Sequence, residues 1–192
     1  MTILITGAPK RAASLADTLR AVHLDVTVVE DLEDLPKVVD ALAPGSIDAY
    51  VQLPIKVRAT GTSAVELVGD FLAQGIVARF ESVRIVLPKL SDDAGVVLVS
   101  GNSPDGVRTL DDRQARLALL TLLSHAVRAE RSTAGGWVRV VGRGGPRTDN
   151  ELAQMVTSNG ALPAPSVAVE ADEELDYSQW KLALMTMDHG VA

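Results

Sequence analysis

The sequence predicts an α/β fold in which helices cover both faces of a doubly wound parallel sheet. Short apolar runs alternate with helical patterns along the chain, as in consecutive βαβ units. Hydrophobic residues make up 47% of the sequence but aromatic residues only 3%, so Ala, Val and Leu must build the core. Strands that are continuously apolar are covered on both faces, which is typical of parallel sheets. The 192 residues are expected to form a single domain, 1–192.

Five strands and five helices are predicted from this alternation. The strands are 1–6, 25–29, 47–53, 95–99 and 137–141, with 166–169 as a candidate for a last strand. The helices are 9–22, 35–42, 63–87, 109–130 and 150–157. The first helix has one apolar stripe, formed by Ala12, Leu15, Ala16, Leu19 and Val22. Since ligands of such sheets bind at the carboxyl ends of the strands, we expect the site residues there.

Charge and composition restrict the partners of the protein. The net charge is −7, which disfavours both nucleic acid and an anionic membrane surface. The three histidines are scattered and none has the spacing of a metal ligand, so no metal site is expected. The sequence has no cysteine, no leader-like segment and no apolar run of membrane-spanning length, so we expect a cytoplasmic protein.

The first predicted strand leads into the segment ITGAPKRAASLA, which has the rhythm of a nucleotide-binding turn. Such turns use glycine where the backbone approaches a phosphate closely. Gly7 is present, but Arg11 and Ala13 follow where further glycines are expected. Arg11 can pair with a phosphate, and Glu30, after the second strand, can hold a ribose hydroxyl. The alternative is a tight turn with a structural glycine and an exposed Arg, and a solvated strand end at Glu30.

Other polar segments give weaker signals. The loop GRGGPR, 142–147, is rich in glycine and contains two arginines, so it can accept an anion. Ser100 and Ser103 are expected to cap or turn their loop, and His125 to lie on a helix face. The end of the chain, 170–192, begins with an acidic run and continues with YSQWKLALMTM. We interpret it as a segment that docks on its own domain or on a partner.

Read together, these segments resemble the short-chain dehydrogenase/reductase family from Met1 to about Pro146. The stretch from ILITGAPKRAAS to DVTVVED resembles the first βαβ unit of the family, and IDAYVQLP stands where the family has its N-N-A-G strand end. The segments that end in GVVLVSG and WVRVV resemble later helix–strand pairs. The resemblance implies a Rossmann-like doubly wound parallel sheet, truncated at the C-terminal end.

The resemblance also locates the family's functional positions, and this sequence departs from the family at each of them. The catalytic asparagine position falls on Gly75 and the serine position on Gly101. The tyrosine position falls near Asp112, and the lysine four residues later is Arg116. The N-N-A-G element is replaced by residues 52–55, QLPI.

The substitution of the tyrosine decides the expected chemistry. The family's tyrosine acts as a general acid/base, whereas an aspartate beside an arginine is ionised at neutral pH and has no proton to donate. Asp112 and Arg116 are spaced i, i+4, which favours an ion pair on the helix surface. No catalytic residue is therefore predicted, and no cofactor is expected. If the turn does bind one, it is NAD(P), through Gly7, Arg11 and Glu30.

The resemblance then implies a non-catalytic subunit, a pseudoenzyme. It would pair with itself, or with a catalytically intact short-chain dehydrogenase acting on a hydroxyacyl-CoA or a similar hydroxy/keto substrate. Helices 63–87 and 109–130 keep apolar stripes suited to such a homo- or hetero-oligomer. Two alternatives remain open: an atypical NAD(P)-dependent oxidoreductase, and a nucleotide-sensing module that binds without turnover.

Overall fold

The computed structural model describes residues 1–55, 60, 62–100, 110–142 and 148–160. The strands are β1 (Thr2–Thr6), β2 (Asp25–Val29), β3 (Ile47–Gln52), β4 (Leu90–Val99) and β5 (Trp137–Val141). The helices are α1 (Pro9–Arg20), α2 (Leu35–Asp40), α3 (Ala64–Asp70), α4 (Ala78–Val86), α5 (Leu110–Glu130) and α6 (Asp149–Thr157). A π-helix, Phe71–Val77, connects α3 to α4, and a 3-10 turn, Leu87–Lys89, leads into β4.

The five strands described form one parallel sheet in the order β2-β1-β3-β4-β5. This confirms the predicted Rossmann-like doubly wound α/β fold. The direction of strand order reverses between β1 and β3, because the chain first adds β2 on one side of β1 and then crosses to the other side. Open α/β sheets bind ligands at this switch point, outside the carboxyl ends of the strands.

Helices cover both faces of the sheet, and the side chains of each strand alternate between two cores. On β1, Ile3 and Ile5 contact the core that contains α1 and α6, whereas Leu4 contacts the core that contains α2, α4 and α5. The strands are therefore apolar on both faces, as the sequence predicts. At Gly95 in β4, a Cβ atom would overlap the indole of Trp137 on β5, so only glycine fits there.

The element boundaries differ from the prediction at several points. Helix α1 ends at Arg20, and Val22, predicted as part of its apolar stripe, is 56% exposed in the following turn. The other four stripe positions are buried. Strand β4 begins at Leu90 rather than residue 95, because the polar residues after Leu90 still continue the strand. The candidate strand 166–169 and the segment 170–192 lie outside the described residues.

The predicted helix 63–87 is not one regular helix. The seven residues of the π-helix separate α3 from α4, and within the side chains described from 65 to 77 only Ile76 is buried. Val65, Leu72 and Val77 are 83%, 45% and 62% exposed. The amino-terminal half of this helical stretch therefore presents apolar side chains to solvent, while α4 packs against the sheet.

Candidate functional site

The switch-point crevice of this sheet lies between the carboxyl ends of β1 and β3, and the backbone continues to pair there beyond the strands. The Leu53 amide donates to the Thr6 carbonyl at 2.8 Å, and the Ala8 amide donates to the Pro54 carbonyl at 3.0 Å. The turn after β1 is thereby fastened to the segment after β3. These two hydrogen bonds use backbone groups at the position where a Rossmann turn approaches a dinucleotide.

Gly7 is the residue that permits this close pairing. Its φ is +129°, a conformation that residues with a Cβ rarely adopt. A Cβ on Gly7 would also lie 2.6 Å from Leu53 Cβ and 2.7 Å from the Leu53 carbonyl oxygen. Packing against Leu53, directly after β3, accounts for a glycine here without any ligand.

The first turn of α1 has few amides left for a phosphate. The Ala8 amide is used by Pro54, Pro9 has no N–H, and the Arg11 amide donates to the Ala8 carbonyl at 3.0 Å. Three of the four residues from 8 to 11 therefore have no free N–H, although such amides normally hold the phosphate at a helix start.

The predicted cofactor residues Arg11 and Glu30 lie at different places on this edge. Arg11 is half-buried rather than fully exposed, and its Nε is 3.9 Å from Asp149 Oδ1 at the start of α6. Glu30 is exposed directly after β2. Gly7 packs against Leu53. The role of Gly7, Arg11 and Glu30 in binding a dinucleotide stays a prediction.

A buried polar cluster that the sequence did not reveal lies beside the crevice. Gln52 at the end of β3 and Arg79 in α4 form three hydrogen bonds. Arg79 Nε donates to Gln52 Oε1 at 2.8 Å, Gln52 Nε2 donates to the Arg79 carbonyl at 2.9 Å, and Arg79 Nη2 donates to the Gln52 carbonyl at 3.4 Å. Arg79 Nη2 also donates to the Val99 carbonyl at 2.9 Å. Arg79 is 5% exposed and Gln52 fully buried. The guanidinium therefore joins α4 to the ends of β3 and β4.

The cluster extends to β1 through Tyr50. The Tyr50 hydroxyl and Thr6 Oγ1 are 2.8 Å apart, and Gln52 Nε2 donates to the same hydroxyl at 3.3 Å. Burial raises the pKa of Tyr50 above its usual value of 10, and the hydrogen bonds and the Arg79 charge oppose this only in part. Tyr50 is therefore a neutral hydrogen-bonding residue of the core at physiological pH, and not an activated acid/base.

Arg79 gave one usable signal in the sequence. It lies three residues after Ile76 and four before Val83, so it falls on the same helix face as these buried residues. A charged residue on an apolar stripe is ordinarily assigned to the edge of that stripe. Here the strand-end carbonyls and Gln52 provide the partners that make burial possible.

The positions matched to the family's catalytic residues are only partly described. Gly75 lies within the π-helix and is half-buried. Asp112 and Arg116 lie in α5, as predicted. Their side chains lie outside the described part of the helix, so the ion pair between them stays a prediction. Gly101 and Ser103, and residues 143–147 of the glycine-rich loop, fall outside the described residues. The Ser100 amide donates to the Val141 carbonyl at 2.8 Å, which fixes the end of β4 against β5.

Two further expectations concern metals and membranes. Among the residues described, His, Asp and Glu do not form a group of three that could hold a metal ion. His125 is exposed on α5, as expected of a helix-face residue. Within the described ranges, no helix has both the length and the apolar character needed to span a bilayer.

Comparison with solved structures supports the fold. The protein lin1944 from Listeria innocua aligns with a TM-score of 0.60 at 15% identity, covering 83% of this chain and 93% of that one. A candidate short-chain alcohol dehydrogenase from Burkholderia multivorans aligns with a TM-score of 0.56 at 12% identity, covering 82% and 90%. No protein-family model matches the sequence, and no curated protein is significantly similar to it. The structure is thus distantly similar in fold to a candidate short-chain alcohol dehydrogenase.

Proposed function

We propose that this protein is a non-catalytic subunit with a short-chain dehydrogenase fold, which pairs with a catalytically intact short-chain dehydrogenase and supports it. The observation that carries the proposal is the turn after β1, whose backbone is paired with the segment after β3. Gly7 packs on Leu53, the Ala8 amide is used by Pro54, and Pro9 has no amide hydrogen. We expect a dinucleotide to bind here only if this pairing is broken, because the phosphate-binding turn of such folds uses free backbone amides.

The chemistry of the described tyrosine supports the same proposal. Hydride transfer to a carbonyl carbon, or in reverse from the carbon of an alcohol, needs a group that exchanges a proton with the substrate oxygen. Tyr50 is fully buried, with a raised pKa, and its hydroxyl is already bound to Thr6 and Gln52. It is therefore suited to stabilising the core rather than to reaching a substrate.

The surface on which we expect the partner to dock consists of the exposed apolar residues of the helical stretch from α3 to α4, here called the outer helix face. Its residues are Val65, Leu72 and Val77. On α5, Leu122 adds a further apolar side chain that is 37% exposed. Apolar side chains exposed together on helices are typical of protein–protein contacts. A partner that buries these side chains would gain roughly 25 cal/mol for each Å² removed from water.

Co-purification tests the pairing. The tagged protein is co-expressed with each intact short-chain dehydrogenase of its own genome, and complexes are identified by size-exclusion chromatography and dehydrogenase assay. We expect one dehydrogenase to co-purify and to lose activity or stability without this subunit. The substitution Leu72→Asp on the outer helix face should weaken the complex at least tenfold, or about 1.4 kcal/mol.

Val22→Asp provides the matched control. Val22 is also an exposed apolar residue, but it lies in the turn after α1, which packs in a different core from α4. The complex should tolerate this change. Equal binding by the Leu72→Asp and wild-type proteins would contradict the proposed surface, and a wild-type chain that pairs with none of the dehydrogenases would contradict the proposed function.

A further inference from the structure

Three side chains join α1 to the start of α6 near the turn after β1. Ser14 Oγ donates to Asp149 Oδ2 at 2.5 Å, and Arg11 Nε lies 3.9 Å from Asp149 Oδ1. The side chains of Arg11 and Asp149 are 34% and 23% exposed. We call this arrangement the Asp149 clasp.

The α1 side of the clasp has the chemistry of an anion-binding pair. Arg11 and Ser14 are spaced i, i+3, so their side chains lie on the same face of the helix. A guanidinium and a hydroxyl are groups that commonly hold a phosphate oxygen. Here they face the two oxygens of a carboxylate that belongs to the chain itself.

Asp149 is not needed to cap its own helix. Thr148 and Glu151 form a complete capping box: the Glu151 amide donates to Thr148 Oγ1 at 3.2 Å, and the Thr148 amide donates to Glu151 Oε2 at 2.9 Å. The Asp149 carboxylate is directed to α1 instead. The side-chain contacts that the structure gives Asp149 therefore join α1 to α6 rather than complete the capping box.

We propose that Asp149 is an internal anion that occupies a phosphate-binding pair formed by Arg11 and Ser14. An external phosphate or pyrophosphate group binds this pair only when the carboxylate is neutralised or displaced. The inference rests on the proposed function in one respect, since it adds a reason why the turn after β1 holds no dinucleotide. The docking of a partner on the outer helix face does not depend on it.

The substitution Asp149→Asn tests the clasp directly. It removes the charge but keeps the size of the side chain, and it leaves the capping box of α6 intact. The probe is inorganic pyrophosphate, titrated calorimetrically into wild-type and variant proteins at the same ionic strength. We expect the variant to bind pyrophosphate at least about tenfold more tightly than the wild type, and the double variant Asp149→Asn/Arg11→Met to lose this gain.

Asp17→Asn is the matched control. Asp17 lies on the same helix and pairs with Arg20 on the surface, so its substitution removes one negative charge without touching the clasp. An unchanged affinity in Asp17→Asn, together with the gain in Asp149→Asn, supports the inference. An equal gain in both variants shows only an effect of net charge and overturns it, as does the absence of any gain in Asp149→Asn.

A second variant, Asp149→Ser, keeps the test decisive if the amide variant does not fold, and it must show the same gain. The pairing with a dehydrogenase is scored separately by co-purification. A variant that gains no pyrophosphate affinity while the wild type still co-purifies with a dehydrogenase overturns the clasp alone. A gain in affinity with no co-purifying dehydrogenase overturns the pairing alone.

Discussion

Arg79 is the residue whose burial most shapes the carboxyl edge of the sheet. Its guanidinium donates to Gln52 Oε1 and to the Val99 carbonyl, and both acceptors lie in the interior. A buried acceptor that loses its donor costs about 1 to 3 kcal/mol. The arginine therefore acts as a tie between α4 and two strand ends, at the edge where related folds bind ligands.

Replacing Arg79 should therefore destabilise the folded protein. We expect Arg79→Met to lower the free energy of unfolding by about 2 to 4 kcal/mol, since at least two buried acceptors lose their donor. Urea denaturation measures the change. The control is Arg84→Met on the same helix, because Arg84 is exposed and pairs only with Glu81 among its described contacts. Equal losses in the two variants would contradict a structural role for the buried guanidinium.

For single residues, the sequence was sufficient to predict that Gly7 forms a tight turn after β1, but not that Arg79 is buried. Gly7 stands out because a glycine after a buried strand is a recognisable pattern. The burial of Arg79 depends on acceptors from β3 and β4, which are distant in sequence. Likewise, Arg11 and Asp149 pair across two helices that are separated by most of the chain. A local sequence pattern cannot predict such a pair.

Among the elements, the stretch from α3 to α4 differs most from the prediction. The sequence predicted one helix from an apolar pattern over residues 63–87. The structure contains a π-helix at its centre, and Val65 in α3 is exposed. A π-helix is a widening of the helical turn often found at functional sites, and an apolar pattern alone does not distinguish it from an α-helix.

Helix α3 is held at its start by Glu66. One oxygen of this carboxylate accepts from the amides of Thr62 and Ser63 at 2.7 and 2.9 Å. These backbone hydrogen bonds, with those from the Thr62 and Ser63 side chains, lower the pKa of Glu66 to about 2. Because the folded pKa lies below the ordinary 4.5, the stabilisation is fully present above pH 4.5 and is lost as the pH falls through about 2.

NMR titration tests this account of the helix start. The amide signals of Thr62 and Ser63 should titrate with a midpoint near pH 2, the pKa of the Glu66 carboxyl. In Glu66→Gln, which has no charge to lose, these signals should not show that transition. A midpoint near the ordinary pKa of a glutamate would contradict the hydrogen-bonded helix start.

For the whole molecule, the alternation of apolar runs was sufficient to predict the sheet. Each of the five described strands overlaps a predicted one, and the parallel doubly wound arrangement follows from the helices between them. The function depends on details that such patterns do not contain. The access of a ligand to the backbone of the first turn depends on the pairing of Ala8 with Pro54 and on the packing of Gly7 on Leu53.

We expect that the turn after β1 does not bind a dinucleotide. The decisive measurement is a titration of the purified protein with oxidised and reduced NAD and NADP. A ligand present at 100 times its Kd would stabilise the fold by about 2.7 kcal/mol, which a thermal-shift measurement detects readily. We predict no change in Tm at millimolar concentrations of any of the four. A clear, saturable rise in Tm, confirmed by calorimetry, would contradict the claim and favour an atypical oxidoreductase or a nucleotide-sensing protein.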